Sequence, residues 1–155
     1  MTGELFAVLR EHSLLGRPAR EATADAADTR AAFHRGLAVA RESGPEGVAG
    51  RLFTTRSLYL TGDLAPAATL DYLSGLLVGE EIRSVVAAHR GQPPPPIVLI
   101  GEAALSVRYR EALAAFDLTQ ARVLGDSAAA GLWQVARTAG LVSAAGDPSR
   151  SVEHG

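Results

Sequence analysis

The chain has 155 residues, 47% of them hydrophobic, which suffices for one domain with a buried core and excludes wholesale disorder. Its formal net charge of −2 gives no pull toward nucleic acid or an anionic membrane. Cysteine is absent and all 15 basic residues are arginine, which excludes disulfides, thiolate chemistry, a Walker-type phosphate lysine and Schiff-base chemistry from this chain. No apolar run approaches the ~20 residues of a membrane span. The opening Met1-Thr2-Gly3-Glu4 lacks the basic region of a signal peptide. The expected location is the cytoplasm.

The first two thirds read as helix. Leu5, Val8, Leu9 and His12 recur at helical spacing behind Thr2, the expected N-cap, and Gly16 is a natural stop. Residues 17–28 are small and polar and predict a loop. Asp28 is placed to cap a second helix with the buried stripe Phe33, Leu37 and Ala40, ended by Ser43-Gly44-Pro45. A third helix would carry Val48, Leu52, Thr55 and Tyr59 on one face and break at Thr61-Gly62-Asp63. The longest helix spans about residues 66–89, from Pro66 to just before Gly91, with Leu70, Leu73, Leu77, Glu81 and Val85 on one face. Gly75 and Gly79 lie four apart inside it, where glycine costs about 1 kcal/mol relative to alanine. That spacing points to tight helix packing or to close approach of a ligand, and packing is the commoner reason.

The period then changes. Pro93-Pro94-Pro95-Pro96 predicts a stiff connector into Ile97-Val98-Leu99-Ile100, an apolar run of the kind found in strands buried on both faces. After Gly101-Glu102 comes a helix over about residues 105–116. Ala121-Arg122-Val123-Leu124 then reads as a second strand. Asp126 or Ser127 is placed to cap a last helix through Trp133 to about Ala139, with Gly140 beyond it. This order implies a right-handed crossover and a parallel pair. The fold class is α/β, helix-rich, with a small parallel strand pair at 97–100 and 121–124. Residues 143–155 are expected to form a disordered tail.

Ligands in open α/β sheets sit beyond the carboxyl ends of strands, here Gly101-Glu102-Ala103 and Gly125-Asp126. Gly101 permits a sharp turn and close backbone approach, although any strand-to-helix turn can use a glycine. His12, His34, His89 and His154 show no metal-ligand spacing. Glu80 and Glu81, neighbours on a helix, point about 100° apart and read as a solvated face. Ser13, Ser57 and Ser74 have no G-x-S-x-G setting. Arg51 and Arg56 flank Leu52-Phe53, and Arg56 is placed to pair with a carboxylate of the fold or of a ligand. No catalytic or metal-ligating residue is assigned.

Several segments resemble the 2-dehydro-3-deoxygalactonokinase family. They are Thr2-Gly3-Glu4-Leu5-Phe6-Ala7-Val8-Leu9 with His12-Ser13-Leu14-Leu15-Gly16, then Leu52-Phe53-Thr54-Thr55-Arg56. Next come Asp71-Tyr72-Leu73-Ser74-Gly75-Leu76-Leu77-Val78-Gly79-Glu80-Glu81 and Arg108-Tyr109-Arg110-Glu111-Ala112-Leu113. The closing Ala128-Ala129-Ala130-Gly131-Leu132-Trp133 is also similar. The resemblance covers residues 2 to about 142, and Tyr-Leu-Ser-Gly-Leu-Leu-x-Gly is its most specific part.

The resemblance implies the carboxy-terminal domain of an actin-like, ribonuclease H-like kinase over residues 1–142, with the amino-terminal half absent. Such kinases close two α/β domains on ATP and Mg²⁺. The reaction it implies is transfer of the ATP γ-phosphoryl to the terminal hydroxyl of 2-dehydro-3-deoxy-D-galactonate. By the same resemblance Gly101, Glu102 and Ala103 border the adenosine, and a helix like residues 71–86 joins the domains. Missing leading strands would leave a sheet edge that favours association, including a homo-oligomer. The chain departs from the family pattern by having no Asp-x-Gly phosphate turn. Glu102 also stands where many such kinases have glycine, and Glu80 where histidine is expected. The alternatives are a non-catalytic binding domain that keeps the fold, and a small helical domain unrelated to kinases.

Overall fold

The computed structural model describes residues 1–22, 26–92, 96–125 and 128–141. Its helices are α1 (Thr2–His12), α2 (Ala26–Arg41), α3 (Thr54–Thr61), α4 (Thr69–Ala88), α5 (Ala103–Ala115) and α6 (Ala128–Thr138). Strands β1 (Ile97–Ile100) and β2 (Ala121–Leu124) form a two-stranded parallel sheet. No helix among the described residues is long and apolar enough to cross a membrane.

The fold is organised by the pairing of α2 with α4. Phe33, Leu37 and Ala40 are buried on α2 at the expected spacing. Ala40 packs with Tyr72 and Leu76, and Phe33 and Leu37 pack with Val78 and Ile82, where burying each large side chain contributes about 1.5–3 kcal/mol. The backbones meet where side chains are missing. A Cβ on Gly75 would collide with the Phe33 carbonyl, one on Gly36 with the Tyr72 carbonyl, and one on Gly79 with the Ala40 Cβ. The two interior glycines of α4 therefore serve helix packing rather than a ligand. The predicted single face of α4 is replaced by burial all round between Tyr72 and Gly79, because α1, α2 and α5 all pack on this helix. Glu81 and Val85 are exposed.

Around this pair the chain departs from the sequence reading in small ways. Met1 occupies the cap position of α1 and Thr2 lies inside the helix. Its end is made instead by Ser13, whose Oγ donates to the Leu9 carbonyl at 2.5 Å and accepts from the Leu15 amide at 3.1 Å. The expected loop at 17–28 contains a 3₁₀ turn, Arg17–Glu21, and α2 starts at Ala26, so Asp28 lies in its first turn rather than at its cap. The third helix is split into a 3₁₀ turn, Ala49–Arg51, and α3. Val48 and Thr55 are buried as expected, and Gly62 ends α3. A 3₁₀ turn, Pro66–Ala68, leads into α4.

The strands pair in register, Ile97 with Ala121 through Ile100 with Leu124. They are not buried on both faces. Ile97 and Leu99 pack with Ala121 against Phe33, Leu37, Val78, Ile82, Ala112 and Leu113. Val98 and Ile100 are exposed. An apolar run identifies a strand but does not say what covers it, and here, among the described residues, α2, α4 and α5 cover one side only. The expected caps Asp126 and Ser127, Pro93-Pro94-Pro95 of the connector and the tail 143–155 lie outside the described residues.

Candidate site at the Gly101–Ala103 turn

Parallel pairing brings the carboxyl ends of β1 and β2 together, so Gly101 and Gly125 follow partnered residues, Ile100 and Leu124. Asp126 lies outside the described residues. Gly101 has φ +155°, a conformation that side-chain-bearing residues rarely adopt, and no atom of the described residues lies within 4 Å of where its Cβ would stand. Among the described residues its backbone is open.

Glu102 holds the cap position of α5 without a side-chain capping bond, and its carbonyl accepts from the Ser106 amide at 2.9 Å. The helix starts at Ala103, two residues earlier than predicted, which puts Ala103 in the first turn of α5. Free backbone N–H groups there favour a polar or anionic group, while the exposed Glu102 carboxylate opposes an anion. An open cavity of about 370 Å³ adjoins the turn, lined by Glu102, Ala104, Leu105, Val107, Arg108 and Glu111. Among the described residues its carboxylates, Glu102 and Glu111, have no nucleophile beside them in the lining.

Two residues, Arg108 and Tyr109, fix α5 on the core. Arg108 bonds Asp71 of α4 and lies over the Phe33 ring of α2, 4.7 Å from its centroid. The adjacent Tyr109 donates to Glu81 Oε2 at 2.6 Å. Burial first, and this hydrogen bond second, push the Tyr109 hydroxyl well above its ordinary pKa. Sequence reasoning did not single out Arg108 and Tyr109 as a pair of anchors, although both partners lie in the two motif segments already quoted.

The other candidates resolve structurally. Glu80 and Glu81 are not a freely solvated pair. Glu80 accepts two hydrogen bonds from Arg83, at 2.8 and 2.7 Å, which raise the Arg83 pKa, and Glu81 accepts from Tyr109. Arg56 lies over the Tyr59 ring at 5.7 Å. His34 Nε2 is 3.5 Å from Glu111 Oε2, His89 Nδ1 contacts the Val85 carbonyl, and His154 is outside the described residues. No group of three His, Asp or Glu residues among the described residues can hold a metal ion.

The family model for 2-keto-3-deoxy-galactonokinase matches residues 1–135. The 2-dehydro-3-deoxygalactonokinase of Escherichia coli (strain K12) is 34% identical over 132 residues, covering 83% of this chain and 41% of the relative. The probable 2-dehydro-3-deoxygalactonokinase of Rhizobium meliloti (strain 1021) is 35% identical over 138 residues, covering 88% of this chain and 44% of the relative. A solved structure from Sinorhizobium meliloti, described as a candidate 2-dehydro-3-deoxygalactonokinase, superposes with a TM-score of 0.73 at 33% identity over 90% of this chain and 45% of that one. The chain spans less than half the length of each of these relatives. With the match running from α1 to α6, the chain belongs to the 2-keto-3-deoxy-galactonokinase family.

Proposed function

We propose that residues 1–142 are the carboxy-terminal domain of an actin-like sugar-acid kinase, working in the cytoplasm. The reaction is transfer of the ATP γ-phosphoryl to the 6-hydroxyl of 2-dehydro-3-deoxy-D-galactonate, a step of galactonate breakdown. The observation that carries this reading is the family match over residues 1–135, with a bare glycine turn at the carboxyl end of β1. Gly101, Glu102 and Ala103 border the adenosine of ATP. The open backbone at Gly101 and the cavity along α5 fit a flat base. The described residues do not fit a Mg²⁺ site, so no step is assigned to the ion in this chain.

Phosphoryl transfer needs cradled phosphates, neutralised charge and a group that orients the attacking hydroxyl. With no lysine and no Asp-x-Gly turn, the chain does not carry these itself. The isolated 155 residues are therefore inactive, and they supply the nucleotide-side wall of a larger enzyme. A chimera tests this, in which residues 1–135 replace the matched part of the Escherichia coli enzyme. The reading expects ATP-dependent phosphorylation of 2-dehydro-3-deoxygalactonate by a folded chimera. A folded chimera that binds ATP and leaves this sugar acid untouched would favour a non-catalytic binding domain.

A further inference from the structure

We infer that the cavity between the carboxyl ends of α4 and α5 binds a small amphipathic acid, with its apolar body among Val85, Val86, Phe116 and Leu118 and its carboxylate on Arg90. The cavity has a volume of about 370 Å³, within the ~300–1,000 Å³ of small-molecule sites. It lies at the amino end of β1, where Ile97 joins the lining, at the other end of the strand from the Gly101 turn. Ile97, Phe116 and Leu118 pack against the core cluster that holds Ile82 and Leu113, so the cavity floor is continuous with the core. Val85 and Val86 of α4 complete the apolar lining, yet they are 47% and 39% exposed. A ligand that covers them removes apolar surface from water.

The α5 side of the cavity is held in place without a ligand. Asp117 has φ +63°, a left-handed conformation that aspartate tolerates better than most residues. Its amide donates to the Ala114 carbonyl at 3.1 Å, and the Leu118 amide donates to the Leu113 carbonyl at 2.9 Å. From α2, Arg41 bonds the Ala115 carbonyl, donates to Asp117 Oδ2 at 2.6 Å and lies 5.9 Å from the centroid of the Phe116 ring. A wall ordered in this way spares the ligand the cost of ordering its site.

Charge sets the class of ligand. The carboxyl ends of helices carry partial negative charge, which by itself favours a cation. Here those acceptors are taken. The Val85 carbonyl receives the His89 amide and His89 Nδ1, the Val86 carbonyl also receives the His89 amide, and the Ala87 carbonyl receives the Arg90 amide. The Asp117 carboxylate is paired with Arg41. The Arg90 guanidinium, also in the lining, has no hydrogen-bond or ion-pair partner among the described residues. A free donor fork beside satisfied acceptors selects a ligand that brings negative charge, and one guanidinium matches one carboxylate in two parallel bonds.

The probe is phenylbutyrate, with phenylbutylamine and phenylbutanol as its cationic and neutral counterparts, each titrated to millimolar concentration into the 155-residue chain. Backbone amide NMR shifts at Val85, His89, Ile97 and Leu118 locate the site. The acid is expected to bind there about tenfold more tightly than either counterpart, since a hydrogen bond to a charged group is worth roughly that factor or more. Arg90→Gln should bring the acid level with the alcohol and leave the alcohol unchanged. Val86→Trp, which fills the cavity from an exposed position, should weaken all three. Arg137→Gln, at an exposed arginine of α6 outside the lining, should change nothing. The absence of shifts at these amides overturns the inference, as do undiminished binding to Val86→Trp and an equal loss with Arg137→Gln. An acid that binds no better than the alcohol or the amine, or whose advantage survives Arg90→Gln, overturns it too.

Discussion

Tyr109 of α5 donates to Glu81 of α4 at 2.6 Å, tying the helix behind the Gly101 turn to the central helix of the core. Burial and this hydrogen bond raise the Tyr109 pKa. In the unfolded chain the phenol ionises near pH 10. Above that pH the folded state holds the proton more tightly, so stability falls as pH rises, while below about pH 10 the contribution is whole. Tyr109→Phe should flatten the decline in urea midpoint between pH 9 and 11. An unchanged slope would show that Tyr109 does not set the alkaline limit.

The α2–α4 contact gives a sharper test of packing. Gly75→Val places a branched side chain against the Phe33 carbonyl and should cost about 1–3 kcal/mol or more. Gly3→Ala, at a position with open space, should be neutral or slightly stabilising. Urea midpoints of the two variants that move alike would contradict the interlock.

Thr55 is fully buried, and its Oγ1 has no hydrogen-bond partner among the described residues. Burying an unpaired hydroxyl costs about 1–3 kcal/mol. Thr55→Val keeps the shape and removes the unpaired group, so it should raise stability by about 1 kcal/mol in thermal unfolding. The neighbouring Thr54 is the opposite case, because its Oγ1 shares a hydrogen bond with the Tyr72 hydroxyl at 2.9 Å. Thr54→Val should destabilise. A destabilising Thr55→Val would mean that the hydroxyl is paired in solution.

At the candidate site, Gly101→Val in a full-length kinase context should raise the Michaelis constant for ATP more than that for the sugar acid. The +155° φ makes any side chain strained as well, at about 1–3 kcal/mol, so thermal unfolding must accompany the kinetics. Equal effects on both constants in a folded variant would remove Gly101 from the nucleotide wall.

What the sequence makes legible follows from which signals are local. The stripe Phe33, Leu37 and Ala40 shows through helical periodicity, and the strands show through the loss of that period after Pro96. Gly75 and Gly79 announce a close approach, but Gly36, which meets Gly75, is silent, since a glycine carries no hydrophobic signal. The one-sided burial of β1 depends on elements outside the strand. The anchoring of Arg108 on Phe33 and Asp71 joins three helices, and no spacing along the chain encodes it. The Gly101 turn is legible as a turn, and its connection with ATP comes from the family resemblance.

The most direct measurement is ADP release by the purified 155-residue chain with ATP, Mg²⁺ and 2-dehydro-3-deoxygalactonate, beside a full-length relative as positive control. Holding nucleophile, phosphate and metal in one reactive geometry supplies roughly 7–11 kcal/mol of rate enhancement. On the function proposed above, a chain with no lysine and no Asp-x-Gly turn does not hold them by itself. The account predicts no sugar-acid-dependent ADP release above the enzyme-free rate. Turnover within tenfold of the control would contradict it, and would place the phosphate-handling chemistry inside these 155 residues.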